Sequence, residues 1–529
     1  MRAVRSNFLN APIAAGGAIL VLLAVIAWPL AALAQAVDPQ DVFAIVDRDV
    51  EFRRAFLWGA AQAATSCAIG AACGLASAYC WTRLHYPGRT VLRGLAIAPL
   101  AVPPVALAVG IEALFAAGTP ASDVISFFGV APEYLRSGTG AVILAHGLSA
   151  TAIVGWFASV AWTSVDGQKV EAARTLGASR IRAARATVWP VVRPAAAAGA
   201  GLAFIQSFLS YGVVVILGAG RETPEGLSIR LALAGDQRAL SVVVLTAAAA
   251  LVFGLVTVQF LRMPRADPGH GRLQRRPRTP ERAVMLIAAL PALLVVSIVL
   301  ALLLRAVSDR GLSLWHVRSL VDGPGSREVR RAALGSVLAA LPAAALTALW
   351  GSMAGAAWGR MRGVSGMLRA TALLFPVALS PAALAYGWLL VRPELDPRAV
   401  LPLVQAAAAF PLVAGTVARM RPRARPDTTA AARSLGASPL RAWRALHGRA
   451  YAVAMASGFF IAFGRAFAET SAAAMARMPG GTLPLRLLEL DRQGTAGPAA
   501  ALAGAILLIC VVAFLLGDPI IARLGRARR

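Results

Sequence analysis

Charge is scarce in this chain, and lysine more so. Asp, Glu, Lys and Arg make up 15% of its 529 residues, against about 25% in ordinary soluble proteins. A soluble polypeptide of this length would divide into several domains, each with a polar coat, and these charges cannot supply it. Lys169 is the only lysine, and no Gly-x-x-x-x-Gly-Lys-Ser/Thr surrounds it. The chain therefore has no P-loop to cradle nucleotide phosphates. Cys67, Cys73, Cys80 and Cys510 lie in apolar segments without CxxC or Cys/His spacing, which argues against a disulfide framework and a metal site. His146 is the one histidine in an apolar run, and a hydrogen-bonded structural role is expected for it. No GxSxG, HExxH or suitably spaced carboxylate pair occurs, so no catalytic residues and no enzyme are expected.

What the chain has in quantity is apolar: 58% of residues are hydrophobic, and the mean hydropathy is +0.68. That content excludes a disordered chain, and the fold class expected is an all-α polytopic membrane protein. Windows of roughly 20 apolar residues fall near 12–34, 55–80, 91–116, 138–163, 193–218 and 238–261. After a polar gap they resume near 283–306, 332–358, 367–391, 398–418, 451–475 and 497–516, twelve transmembrane helices in all. The first is read as an uncleaved anchor despite the cleavage-like Ala32-Leu33-Ala34-Gln35-Ala36, because its apolar stretch exceeds the signal-peptide length.

The net charge of +27 would suggest nucleic acid in a soluble protein. Here the arginines fall in short loops between apolar stretches, where they report topology, and no nucleic-acid partner is expected. Arg262, Arg265, Arg272, Arg275, Arg276, Arg278 and Arg282 crowd one gap. That gap reads as cytoplasmic, and so do both termini, with Arg2 and Arg5 at one end and Arg523, Arg526, Arg528 and Arg529 at the other. Asp38, Asp41, Asp47, Asp49 and Glu51 mark the opposite face.

The halves repeat. Pro99, Pro104 and Gly110 recur as Pro376, Pro381 and Gly387, displaced by 277. Ala172-Ala173-Arg174-x-Leu176-Gly177-Ala178-Ser179 recurs as Ala431-Ala432-Arg433-x-Leu435-Gly436-Ala437-Ser438, displaced by 259, and the same 259 carries Gly199, Phe204 and Phe208 onto Gly458, Phe463 and Phe467. A longer loop at about 117–137 accounts for the difference. Six spans per half return the chain to the same side, which makes the two six-helix repeats parallel. The expected division is a first repeat over 1–262, a basic linker over 263–282 and a second repeat over 283–529.

Each half carries one small-residue loop, at about 164–190 and 420–449. Glu171, Ala172 and Ala173 lead to an apolar knob at Leu176 and to Gly177, which can adopt the left-handed conformation that stops a helix. Glu171 is expected near the helix start, where an acid suits the dipole. Ser179 is placed to cap the next helix, and Pro190 tolerates a first helical turn. With Pro190 the segment matches the cytoplasmic signature of binding-protein-dependent ABC-transporter permeases, Glu-Ala-Ala, three residues, Gly, and Pro about thirteen later. The chain resembles a fused double form of that family. The resemblance implies that these loops seat on a separate ATP-binding subunit present in two copies, through Glu171, Ala172, Ala173, Leu176 and Gly177 and their counterparts Ala431, Ala432, Leu435 and Gly436. The second copy departs from the signature at Ala430 and Arg449, which replace the acid and the proline.

Charge inside a span marks function by default. Arg465 and Glu469 are expected on one face of the eleventh span, with Gln206 and Ser210 at matching positions of the fifth, all four lining a translocation path. The family resemblance further implies an importer in the bacterial cytoplasmic membrane. It would take a solute from an extracytoplasmic binding protein and bind no cofactor, ATP being used by the partner. Short stretches, among them Gln62 with Ala63-Ala64-Thr65-Ser66, Tyr86-Pro87-Gly88-Arg89 and Ser207-Phe208-Leu209-Ser210-Tyr211-Gly212, resemble thiamine-type permeases. Ferric-iron permeases share the fused plan. The rival class, a secondary transporter or channel, needs no docking loop.

Overall fold

The computed structural model describes residues 20, 23–100, 102–258, 276–309, 311–358, 375–420, 431–438, 441–442 and 444–526. Parts of the first and ninth expected spans, most of the basic linker, Ala430, Arg528 and Arg529 fall outside them. The described residues are mostly helical, and their only strands are a two-residue antiparallel pair, Ser308–Asp309 with Gly311–Leu312.

Among the described residues seven helices are long and apolar enough to cross a bilayer: Val50–Arg83, Thr139–Thr163, Trp189–Phe208, Ala239–Val258, Glu281–Ala306, Ser326–Gly355 and Ala496–Phe514. A bent pair, Arg89–Leu100 and Pro104–Leu114, supplies an eighth candidate, its halves 111° apart. Among the described residues the third, fifth, ninth and eleventh expected spans are broken. Proline breaks the third and ninth. Pro103, before Pro104, has ψ 130°, since a residue preceding proline is driven out of the α region, and the helix restarts with Pro104 in its first turn. Ser380 does the same before Pro381, with ψ 120°, and its hydroxyl accepts the Ala383 N–H at 2.9 Å.

The fifth and eleventh spans break without proline, and at equivalent places. Trp189–Phe208 resumes as Gly212–Leu217, and Arg449–Phe467 resumes as Ser471–Met475. Phe208 and Phe467 are 259 apart, and so are Gly212 and Ser471. The next short helices, Pro224–Ala234 and Leu483–Arg492, also start 259 apart. Gly235 and Gly494, at φ 69° and 71°, end them in the same left-handed turn. The repeat thus continues well beyond the stretches where residue identities show it.

The chain forms two compact units that do not follow the order of the repeats. One consists of Asp38–Arg330 and Pro484–Leu507; the other of Met1–Val37, Arg331–Leu483 and Leu508–Arg529. The opening helix of each repeat is therefore built into the unit formed mainly by the other repeat. In the first unit, Thr279–Ala306 packs on Pro104–Leu114, where Gly110 faces Ile298 so closely that a Cβ would lie 2.6 Å from its Cγ2. In the second, Trp28–Ala36 packs on Pro381–Val391. There Gly387 faces Pro29 in the same way, and Trp388 Nε1 donates to the Val25 carbonyl at 3.1 Å.

Within the first unit, Val50–Arg83 runs along Thr139–Thr163 and Trp189–Phe208. Gly74 lets the backbones meet: a Cβ there would stand 2.8 Å from the Gly155 nitrogen. In the second unit Gly351, 277 residues on, stands against Val413 and Ala414, the 259-displaced counterparts of Val154 and Gly155. The loop at 117–137 holds two short helices, Pro120–Phe127 and Glu133–Arg136.

Candidate functional site

The two small-residue loops are built alike, bond for bond. Gly167–Thr175 ends in a turn where Leu176 N–H donates to Ala172 O at 3.1 Å, Gly177 N–H to Arg174 O at 3.0 Å and Ala178 N–H to Ala173 O at 3.1 Å. In the second loop, Leu435, Gly436 and Ala437 donate to Ala431, Arg433 and Ala432 at 3.1, 3.0 and 3.1 Å. Gly177 and Gly436 both have φ +84°, a conformation that costs any other L-residue roughly 1–2 kcal/mol. Ser179 then accepts the Arg182 N–H at 3.3 Å and Ser438 the Arg441 N–H at 3.4 Å, each capping the next helix. Pro190 lies in the first turn of Trp189–Phe208, as its missing N–H allows.

The exposed surfaces also agree. Ala173 and Ala178, like Ala432 and Ala437, are half-buried, while Ala172, Leu176, Gly177, Ala431, Leu435 and Gly436 are exposed. Leu176 and Leu435 are each 87% exposed. Burying such a side chain on a partner is worth about 1.5–3 kcal/mol. Glu171 departs from expectation. It is the fifth residue of its helix, while Asp166 caps the N-terminus by accepting the Gln168 N–H at 3.0 Å. Glu171 is therefore an exposed surface acid and not a dipole partner.

At the other end of the Trp189–Phe208 helix, the break leaves backbone carbonyls to be satisfied. Gln62 does this in the first repeat, its Nε2 donating to Ser207 O at 2.9 Å and to Gly59 O at 3.1 Å. His146 Nδ1 lies 2.9 Å from Gln62 Oε1. Because Nε2 of Gln62 is the donor to both carbonyls, Oε1 is an acceptor, and in the neutral ring Nδ1 carries the proton. His146 is thus structural as expected, although its Nε2 is buried without a partner. Gln405, 259 residues after His146, performs the same service in the second repeat, its Nε2 donating to Ala466 O at 3.1 Å.

The four path candidates do not sit as expected. Arg465 is in the Arg449–Phe467 helix and exposed, but that helix ends at Phe467, so Glu469 lies beyond it. The Glu469 carboxylate turns to the next helix, accepting the Ala472 N–H at 2.8 Å and the Ala473 N–H at 3.2 Å. The helix end interrupts the single face expected for the two residues, and Glu469 acts as a helix cap, because a carboxylate beside unsatisfied N–H groups is stabilised by them. Gln206 is half-buried in Trp189–Phe208, whereas Ser210 lies past its end. The Ser210 carbonyl accepts from Thr223 Oγ1 at 2.7 Å, which ties the break to the Pro224–Ala234 helix.

An ion network that sequence patterns do not reveal holds this end of the first unit. Arg230 pairs with Glu51 and with Glu222 (2.8 Å), and Arg238 with Asp49 (2.8 Å), Asp236 (2.9 Å) and Glu51 (3.3 Å). Burial works against the Asp49 charge, but the Phe52 N–H and the Arg238 guanidinium hold its carboxyl below the usual range. Asp491, on Leu483–Arg492, moves the other way. Burial and then the neighbouring Glu112 carboxylate push it up to about 7. No group of three or more His, Cys, Asp or Glu side chains suited to a metal ion occurs among the described residues.

Residues 70–263 match the family model described as binding-protein-dependent transport system inner membrane component. The chain is similar to the sulfate transport system permease proteins of Salmonella typhimurium and Escherichia coli. Each is 28% identical over 204 residues, which is 37% of this chain and 72% of the relative. The matched family is a transport component and not an enzyme family.

Proposed function

We propose, from the match of residues 70–263 to the inner-membrane components of binding-protein-dependent transport systems, that the chain is a fused double permease of an ABC importer. One repeat occupies 1–262 and the other 283–529, joined by the basic linker at 263–282, with both termini cytoplasmic. The observation that carries this reading is the pair of loops with the same turn, the same cap and the same exposed leucine at Leu176 and Leu435. Each is a seat for one ATP-binding subunit, so two copies dock, and ATP is bound by them and not by this chain. A secondary transporter or channel has no use for two such seats.

Solute arrives from an extracytoplasmic binding protein and passes where the fifth and eleventh spans break. There Gln206, Ser210, Arg465 and Glu469 cluster in sequence around the equivalent ends Phe208 and Phe467. The two similar bacterial proteins are sulfate permeases, and a sulfate-like oxyanion is the solute we favour over thiamine or ferric iron. Single-cysteine variants Leu176→Cys and Leu435→Cys test the docking. Each should cross-link to an ATP-binding subunit in membranes, and sulfate uptake should require that subunit. Absence of cross-linking at both positions would remove the importer reading, whereas uptake of thiamine or ferric iron in place of sulfate would change only the solute.

A further inference from the structure

Beside the short helix Pro224–Ala234 a cavity of about 250 Å³ opens, lined by Tyr211, Arg221, Glu222, Arg230, Leu233 and Arg492 among others. Leu233 and Arg492 stand at equivalent positions, 259 apart. The first repeat supplies most of the lining and Arg492 is the contribution of the second, so the cavity lies where the two repeats adjoin within this unit, and a path shared by two parallel repeats has to run between them.

Its charge is one-sided. Arg230 is taken up by Glu222 and Glu51, and that pairing neutralises the one carboxylate in the lining. Among the described residues no ion pair engages Arg221 or Arg492, and the Arg492 guanidinium lies beside the Tyr211 phenol. Two guanidinium groups outside any ion pair, one of them hydrogen-bonded to the Tyr211 phenol, line a hollow with room for a small solute and its remaining water. Planar guanidinium forks match the oxygens of a tetrahedral oxyanion, and such charge-assisted bonds are the strong ones. A cation such as thiamine would be repelled. The asymmetry is encoded: the 259-displaced counterparts of Arg221, Arg230 and Arg492 are Gly480, Glu489 and Leu233, so each cation is present on one repeat only.

We propose that this cavity is an oxyanion-binding vestibule of the translocation path, with Arg221, Arg492 and Tyr211 as its ligands and Arg230 as the salt-bridged frame that holds the site open. The proposal deepens the importer reading and rests on it for the word path, while anion binding itself is independently measurable.

The test is equilibrium binding of radiolabelled sulfate to the full chain in phosphatidylcholine nanodiscs, alongside uptake in cells. Arg221→Gln and Arg492→Leu should each weaken sulfate binding about tenfold or more, Arg492→Lys should retain part of it, and thiamine should not compete. Arg398→Gln, which removes an exposed charge elsewhere, should bind like the parent. Parent protein that binds no sulfate, or both cavity variants binding within twofold of the parent, would overturn the vestibule. So would sulfate binding abolished when phosphatidylglycerol replaces half of the lipid, since the occupant would then be an anionic headgroup. Cells that take up no sulfate while the purified chain binds it through these arginines would leave the site standing and sink the sulfate-importer reading instead.

Discussion

The two repeats share a backbone and differ in side chains. Helices end at Phe208 and Phe467, resume at Gly212 and Ser471, and turn at Gly177 and Gly436 with the same φ. At these places the chemistry has diverged. His146 with Gln62 in one repeat is answered by Gln405 alone in the other, and Ser210 by a capping Glu469. Gly59 stands against the Pro224 ring, where a Cβ would lie 2.9 Å from Cδ; its counterpart Ser336 accepts the N–H of Leu483 at 2.8 Å. Proline has no N–H to offer, so glycine suffices on one side, while leucine has one, so serine meets it on the other. Backbone events are preserved because a helix end must be satisfied one way or another. Which side chain does so is free to change.

Exchanging residues between repeats should expose the limits of that equivalence. The largest effect is expected from Gly70→Thr, which imports the residue found at the matching position, Thr347. A Cβ at Gly70 would meet the Ala150 carbonyl carbon at 2.9 Å, and overpacking of this kind costs about 3 kcal/mol. Folded yield and melting temperature should fall sharply, whereas Thr347→Gly should cost only about 1 kcal/mol. Similar losses for the two would mean that the helices pack at the same separation in both halves.

Gln62→Leu comes next. It strands the Ser207 carbonyl and His146 Nδ1, and buried unsatisfied groups cost about 2 kcal/mol. Gln405→Leu should cost less, since it also removes a buried Oε1 that has no partner. Thermal melting of the two variants side by side checks the order. For the docking loops, Leu176→Glu and Leu435→Glu should each lower uptake about tenfold, the loss of roughly 1.4 kcal/mol of apolar contact, with folding unchanged. Loss from only one would show that identical turns serve unequal roles.

The smallest effect concerns pH. Asp491 is raised to about 7 by burial and by Glu112, so its protonated form belongs to the folded state. Its contribution is fully present below the unfolded value near 3.8 and is lost as pH rises through about 7. Asp491→Ala, which installs the residue of the first repeat (Ala232), should flatten the dependence of melting temperature on pH between those limits and raise stability slightly above pH 7. An unchanged slope would assign the dependence to another group.

Much of this was legible in the residue order because it is local. Pro103-Pro104 and Ser380-Pro381 break their spans through φ and ψ restrictions that act between neighbours, and the Ala-Ala…Gly loops carry their own stop and cap within eight residues. Hydropathy likewise marked the apolar segments without reference to any partner. What the residue order left open depends on which helix lies against which. Gln62 finds His146 from 84 residues away, Arg230 finds Glu51 from 179, and Trp388 finds the Val25 carbonyl from 363. The single helix face expected for Arg465 and Glu469 was interrupted for the same reason in reverse. Spacing of i and i+4 implies a shared face only while the helix continues, and a break at Phe467, with free N–H groups just beyond it, offered Glu469 a nearer partner than the guanidinium. Local stereochemistry decides where a helix may stop, but the satisfaction of what it leaves exposed is a property of the packed protein.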